Sequence, residues 1–227
     1  PLVAGLESES LGYRLWHVHH GHLDLSAEPP PGIYLNRMSP SSHTRGHLES
    51  VDLTVEILAW LEHHGRRVVN GSRAFAVEVS KARQALVMQR HGIQTPRTLL
   101  AVGRDEALRA AASLPAPFIT KHNQGGKGLG IVLIESVDDL AAKLDGGAIE
   151  MGPRGQLLLQ QYIRPAEGFI TRVELVDGKF LYAMRSDTSD GFELCPADAC
   201  EVPPTAPEVC PADAPRDKFT LSPLTAD

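Results

Sequence analysis

Residues 118–131 read Phe-Ile-Thr-Lys-His-Asn-Gln-Gly-Gly-Lys-Gly-Leu-Gly-Ile. An apolar run ends in Lys121, and four glycines (Gly125, Gly126, Gly128, Gly130) follow within six residues. A second apolar run, Ile131 to Ile134, begins at once. Glycines at this density let backbone amides approach an anion closely and adopt positive φ without strain. Lys121 and Lys127 set positive charge at both ends of the loop. The chemistry indicated is phosphate binding by a loop between two strands.

Two common phosphate loops are excluded. A Walker A loop needs Gly-Lys followed by Ser or Thr and then a helix. Here Gly126-Lys127 is followed by Gly128 and a strand-like run. A dinucleotide fingerprint needs a helix directly after its glycines; here Ile131 takes the last glycine position and the helix comes after the second strand. That helix opens at Ser136-Val-Asp-Asp139, a capping-box pattern, and Val137, Leu140, Ala141 and Leu144 form its apolar stripe. The unit is strand, glycine loop, strand, helix.

Other elements must hold this loop in place. Tyr13 to Leu25 reads as one or two strands, Pro29–Gly32 as a loop, and Ile33 to Leu35 as a short strand. Val51, Val55, Leu58 and Leu61 recur at helical spacing, with Gly65 as the stop. Val68-Val69 is a strand ending at Asn70-Gly71, so residues 1–75 form a small α/β unit. Ser80 caps a helix from Lys81 to His91, stopped by Gly92. A strand over Pro96–Val102 and a helix over Asp105–Ser113 precede the glycine loop. Leu157 to Ile163 is a strand, and Asp177-Gly178 joins strands Phe169–Val176 and Lys179–Met184 as a hairpin. After Asp190 the chain is rich in Pro, Ala and Asp and reads as loop or as a domain cut short.

The 227-residue chain is 42% hydrophobic and 22% charged, ordinary for a globular protein. Its net charge of −6 argues against a general nucleic-acid or membrane binder. No apolar stretch reaches the ~20 residues that span a bilayer, and no leader pattern precedes the first elements, so a cytoplasmic location is expected. Cys195, Cys200 and Cys210 fit small packing residues in a reducing compartment, since a zinc site wants a fourth ligand and closer pairs. The pentapeptide Cys-Pro-Ala-Asp-Ala occurs at 195–199 and again at 210–214, without a physical account. His17, His19, His20 and His22 alternate between the two faces of the expected strand, so the four do not converge on a metal.

Taken in order, four segments resemble the ATP-grasp superfamily, and within it the RimK-like carboxylate–amine (glutamate) ligases. The first is Val-Val-Asn-Gly at 68–71, then Ser80-Lys81, then Gln-Arg-His-Gly-Ile-Gln-Thr-Pro-Arg-Thr at 89–98. The second is Lys121 with the glycine loop. The third is Leu-Leu-Gln-Gln-Tyr-Ile at 158–163, similar to the family's hinge strand. The fourth is Thr171-Arg172-Val173 with the Asp177-Gly178 hairpin and Arg185.

The resemblance implies an α/β (α+β) ATP-grasp-like fold. A small pre-ATP-grasp unit at 1–75 would precede a nucleotide-binding region of antiparallel sheets at 76–195, and a loop-rich part would occupy 196–227. It implies ATP held by Lys81 and Lys121, with Gln124, Gly125, Gly126, Lys127 and Gly128 closing over the β- and γ-phosphates. Backbone groups of Gln161, Tyr162 and Ile163 would meet the adenine, with Gln160 or Gln161 beside it. Arg172 and Arg185 would face the phosphates or the acyl substrate. The implied reaction joins a small-molecule carboxylate to an amine, an amino acid or peptide, with ATP and Mg²⁺, in a protein that leaves room for an oligomer. Three departures stand out. The hinge glutamate is Gln161, and the acidic residue expected before the arginine strand falls at Ile170. The family's Asp and Glu-x-Asn magnesium ligands find no match before Asp227, so they are expected beyond residue 227 and the metal ligands are unknown. Asp187, Asp190 and Glu193 read as solvated loop carboxylates. The alternative readings are a nucleotide-binding module without ligase turnover and an α/β protein without nucleotide.

Overall fold

Leucines on one strand, shielded on one side by two helices, form the platform for the glycine loop. The structure, a computed structural model, describes residues 2–126, 131–187 and 219–222. In chain order the elements are α1 (Leu2–Ser8), β1 (Ile33–Leu35), α2 (Ser50–His63), β2 (Arg67–Val69), α3 (Ser72–Glu78) and α4 (Lys81–Arg90). Then come β3 (Thr98–Val102), α5 (Arg104–Ala111), β4 (Phe118–Lys121), β5 (Val132–Ile134), α6 (Val137–Asp145) and β6 (Gln156–Gln161). The last are β7 (Phe169–Val176), β8 (Lys179–Asp187) and β9 (Phe219–Leu221).

The described chain packs as two compact units, residues 14–126 with 131–162, and residues 2–13, 163–187 and 219–222. This differs from the expected partition at 75 and 195. Most of the N-terminal α/β segment shares a unit with the four-stranded sheet, and β9 puts a strand inside the stretch read as loop. The three cysteines and the pentapeptide echo lie outside the described residues.

In the first unit, β1 and β2 pair in parallel, Tyr34 opposite Val68, with α2 as the crossover. α2 buries Val51, Thr54, Ile57, Leu58 and Leu61, while Val55 is 42% exposed. The buried stripe is thus rotated by part of a turn from the expected one. Val51, Leu58 and Phe75 pack with Met38, Val68 and Val79. α3 escapes local reading because its cap is tertiary: the Glu62 carboxylate accepts from the Ser72 N–H at 2.8 Å and the Ser72 hydroxyl at 2.6 Å. A Cβ at Gly71 would lie 2.4 Å from that carboxylate, so a side chain there would displace the Glu62 cap.

The larger sheet runs β3-β6-β4-β5, all antiparallel. Directly paired residues share a face. Leu99, Ala101, Leu157, Leu159, Phe118 and Ile134 therefore face one way, and they pack with Ala107 and Ala111 of α5 and Leu140 of α6. Small alanines let α5 lie close to the sheet. Ser136 caps α6 by accepting from the Asp139 N–H at 3.0 Å. The Asp139 carboxylate accepts in turn from the Glu135 N–H at 3.0 Å. In the second unit, β7, β8 and β9 form an antiparallel sheet, and Asp177 (φ 52°) and Gly178 (φ 73°) make the tight hairpin turn.

Tyr13 to Leu25 contains no strand. Leu15, Trp16 and Leu25 remain exposed, and no neighbouring strand supplies the ladder an extended segment needs. His19 instead stacks on His47 with ring centroids 4.1 Å apart. Burial and then the neighbouring His47, His17 and His20 hold its pKa below the usual imidazole value.

Replacing Leu159, which is 0% exposed, by Ala is expected to lower unfolding free energy by about 2–5 kcal/mol. Val55→Ala is expected to change it by no more than about 0.5 kcal/mol. Urea denaturation checks both, and similar losses at the two positions would overturn this account of the core.

Candidate phosphate-binding site

The site grows from the sheet face opposite the helices. Lys121 pairs with Leu158 and Ile119 with Gln160, so Lys121, Ile119 and Gln160 share that face. Beyond Lys121 the chain leaves β4 through His122 and reaches Asn123, which the sequence reading did not single out. Asn123 fastens three pieces together. Its backbone carbonyl accepts from the Lys81 N–H at 2.9 Å. Its Oδ1 accepts from the Ala82 N–H at 3.0 Å and the Ser80 hydroxyl at 3.3 Å. Its Nδ2 donates to Gln156 Oε1 at 2.8 Å. Ser80 also caps α4 as expected, accepting from the Arg83 N–H at 3.3 Å. The orphan donors of the helix N-terminus are thereby satisfied by the strand that leads into the glycine loop.

This arrangement places Lys81, at the first turn of α4, against the loop. Its Nζ donates to the Gly125 carbonyl at 2.6 Å, with Gly125 at φ 150°. Gln124 is buried, and its Oε1 accepts from Arg154 at 3.3 Å. Lys81, Lys121, Gln124, Gly125 and Gly126 are thus brought to one place. Lys127 and Gly128 lie outside the described residues.

Both lysines are half-buried. Burial pushes the Lys121 ammonium down to about 8, and the charge of Lys81 adds to this. Burial also lowers Lys81, opposed by Glu78. Among the described residues, no carboxylate forms an ion pair with either. Two neighbouring ammoniums, desolvated and without an ion pair among the described residues, favour a bound anion. The conflict between Lys81 and its own helix dipole is local to the same feature.

The remaining expected residues distribute unevenly. Gln160 donates its Nε2 to Thr98 Oγ1 at 2.7 Å across the Lys121 face. Gln161 pairs with Phe118 on the helix-covered face, and its Oε1 accepts from the Arg97 N–H at 3.3 Å. Of the two glutamines, only Gln160 shares the lysine face. Tyr162 ends the first unit, and Ile163, 57% exposed, opens the second. In the second unit Arg172 pairs with Met184, whereas Arg185 pairs with Thr171. Strand alternation sends them to opposite faces of their sheet. Arg172 Nε donates to Glu174 at 2.6 Å, and the Arg185 guanidinium lies 4.5 Å from the Phe169 ring centroid. Asp187 ends β8, while Asp190 and Glu193 lie outside the described residues.

The lowered Lys121 pKa has a stability consequence with a definite sign. Below about pH 8 the lysine is charged in both folded and unfolded chains, and its burial costs stability. Between about 8 and the ordinary lysine value of 10.5 only the unfolded chain holds the proton, so stability rises with pH. Relative to Lys121→Met, the unliganded wild-type protein is expected to gain stability across that window. Paired denaturant titrations check this, and a flat difference would refute the uncompensated burial of Lys121.

Comparison with known proteins follows the same residues. The RimK-like ATP-grasp domain matches residues 79–193. A protein of Teredinibacter turnerae named "Probable alpha-L-glutamate ligase" is 29% identical over 136 residues, 60% of this chain and 44% of its own length. One of the same name from Methanococcoides burtonii is 28% identical over 174 residues, 70% of this chain and 57% of its own. The chain thus spans about half the length of these curated relatives. The crystal structure of a RimK domain ATP-grasp protein from Sphaerobacter thermophilus superposes with a TM-score of 0.52 at 20% identity, covering 73% of this chain and 59% of that one, and shares its fold. The chain belongs to the RimK-like ATP-grasp family.

Proposed function

We propose that this chain is the nucleotide-binding part of an ATP-dependent carboxylate–amine ligase. The observation that carries the reading is the pair of half-buried ammoniums, Lys81 and Lys121, set against a glycine loop and without an ion pair to any carboxylate among the described residues. Family membership over residues 79–193 supports it, as do the glutamate-ligase names of the curated relatives.

In this proposal Lys81 and Lys121 neutralise phosphate charge as point cations. Gln124 to Gly126, with Lys127 and Gly128, supply backbone donors over the β- and γ-phosphates. Gln160 and the segment Gln161–Ile163 take the adenine side. The family resemblance assigns Arg172 and Arg185 to the phosphates or the acyl substrate. The carboxylate oxygen of one substrate attacks the γ-phosphorus and ADP leaves, giving an acylphosphate. The amine of the second substrate then displaces phosphate and forms the amide. Such chemistry rests on positioning and charge neutralisation, which this lysine pair is placed to provide. A cytoplasmic setting and an amino-acid or peptide acceptor belong to the same proposal. In the described residues no helix is long and apolar enough to cross a membrane.

Magnesium is a separate matter. Among the described residues no three His, Cys, Asp or Glu side chains could hold a metal ion. The described residues do not supply a metal site. The second reading is a nucleotide-binding module without turnover.

The test is ATP affinity by calorimetry and phosphate release across amino acids and peptides, with the full-length gene product and magnesium present. Lys121→Ala is expected to weaken ATP binding by about 10-fold or more, the loss of one charge-assisted contact. Unchanged affinity would remove Lys121 from the site. Binding without phosphate release across the panel would favour the module.

A further inference from the structure

The segment Glu150–Gln156 wraps the exit of β4 more closely than a connecting loop needs to. His122, between Lys121 and Asn123, bonds the Glu150 carbonyl through Nε2 at 3.0 Å. Gly152 sits so near that a Cβ would lie 3.1 Å from the His122 side chain and 2.8 Å from the Gln156 carbonyl. The Gly152 N–H donates to that carbonyl at 3.0 Å, and Gln156 holds Asn123 through its side chain. At the tip of this turn Arg154 adopts φ 62° and ψ 24°, a left-handed conformation uncommon for a residue with a Cβ. From there its guanidinium reaches two groups. One terminal nitrogen donates to Gln124 Oε1 at 3.3 Å, and the other donates to the Asp52 carboxylate in the first turn of α2.

We propose that Arg154 is a positioning residue for the phosphate loop, tying Gln124 at the loop's start to Asp52 of the N-terminal α/β segment. Asp52 and Arg154 are 102 positions apart in sequence, so the bridge makes the attitude of α2 a determinant of the loop's geometry. The role of Arg154 is to hold the acceptor oxygen of Gln124 and so fix the start of the glycine loop. A strained backbone retained where a side chain bridges two segments fits such a role. Arginine suits it better than lysine, because its fork serves both acceptors from one rigid plane. This inference rests on the nucleotide-binding reading above.

The discriminating variant is Arg154→Gly. It removes the side chain while relaxing the left-handed backbone, so the fold is expected to keep or gain thermal stability. ATP affinity of the full-length protein, measured by calorimetry with magnesium, is expected to fall about 10-fold or more, as misplacement of a binding group by an ångström does. Arg154→Lys should restore little of it, and Asp52→Asn should reproduce part of the loss. Wild-type protein that fails to bind ATP overturns the nucleotide reading itself. Wild-type binding with unchanged affinity in Arg154→Gly overturns only the positioning role. Lost affinity accompanied by a lower melting temperature in Arg154→Gly also counts against it, since the loss would then be structural.

Discussion

The register of β6 between β3 and β4 is the constraint on which the site depends. Leu157 and Leu159 alternate with Leu158 and Gln160, and the first pair packs against the alanines of α5 and Leu140 of α6. Once that apolar face is fixed, the face of Lys121, Ile119 and Gln160 follows without further choice. A slip of β6 by one residue would exchange its two faces, carrying Gln160 into the core and Leu157 and Leu159 out of it. The hydrophobic effect thus sets the placement of the charges, although no charged group takes part in the packing.

The core cannot by itself bring Lys81 to Lys121, because Lys81 belongs to α4 and not to the sheet. Asn123 closes that gap with a carboxamide and one carbonyl, joining the α4 N-terminus to the end of β4 and the start of β6. The result is an electrostatically unfavourable pair held together by hydrogen bonds that carry no charge. Such frustration is what a site for a polyanion requires: if carboxylates neutralised the lysines, the ligand would have to displace them. The folded chain tolerates the repulsion because the two ammoniums are only half-buried, and Lys81 is partly satisfied by the Gly125 carbonyl.

Local pattern carried much of this into the sequence. The strand–loop–strand–helix unit follows from apolar runs flanking glycines. The Ser80 and Ser136 caps follow from side-chain chemistry, and the hairpin from Asp177-Gly178. What stayed hidden depends on distant partners. α3 is started by Glu62 from another helix, and Asn123 and Arg154 act through groups far away in sequence. The histidine-rich segment fails as a strand for the converse reason, since its alternation has no neighbour to pair with. Period-two alternation is necessary for a strand but does not supply the second strand.

The two arginines show how a family resemblance transfers. Motif spacing identified the right strands, and β7 and β8 pair with Arg172 and Arg185 one rung apart. One rung is enough to send the side chains to opposite faces. Their surroundings differ as well. Arg172 is engaged by Glu174, two positions along and on its own face, so an anion meeting Arg172 must compete with a carboxylate. The Arg185 guanidinium carbon lies over the Phe169 ring, 4.5 Å from its centroid. Among the described residues its N–H edge makes no hydrogen bond or ion pair. An anion approaching Arg172 has a carboxylate to displace, whereas one approaching Arg185 meets none among the described residues.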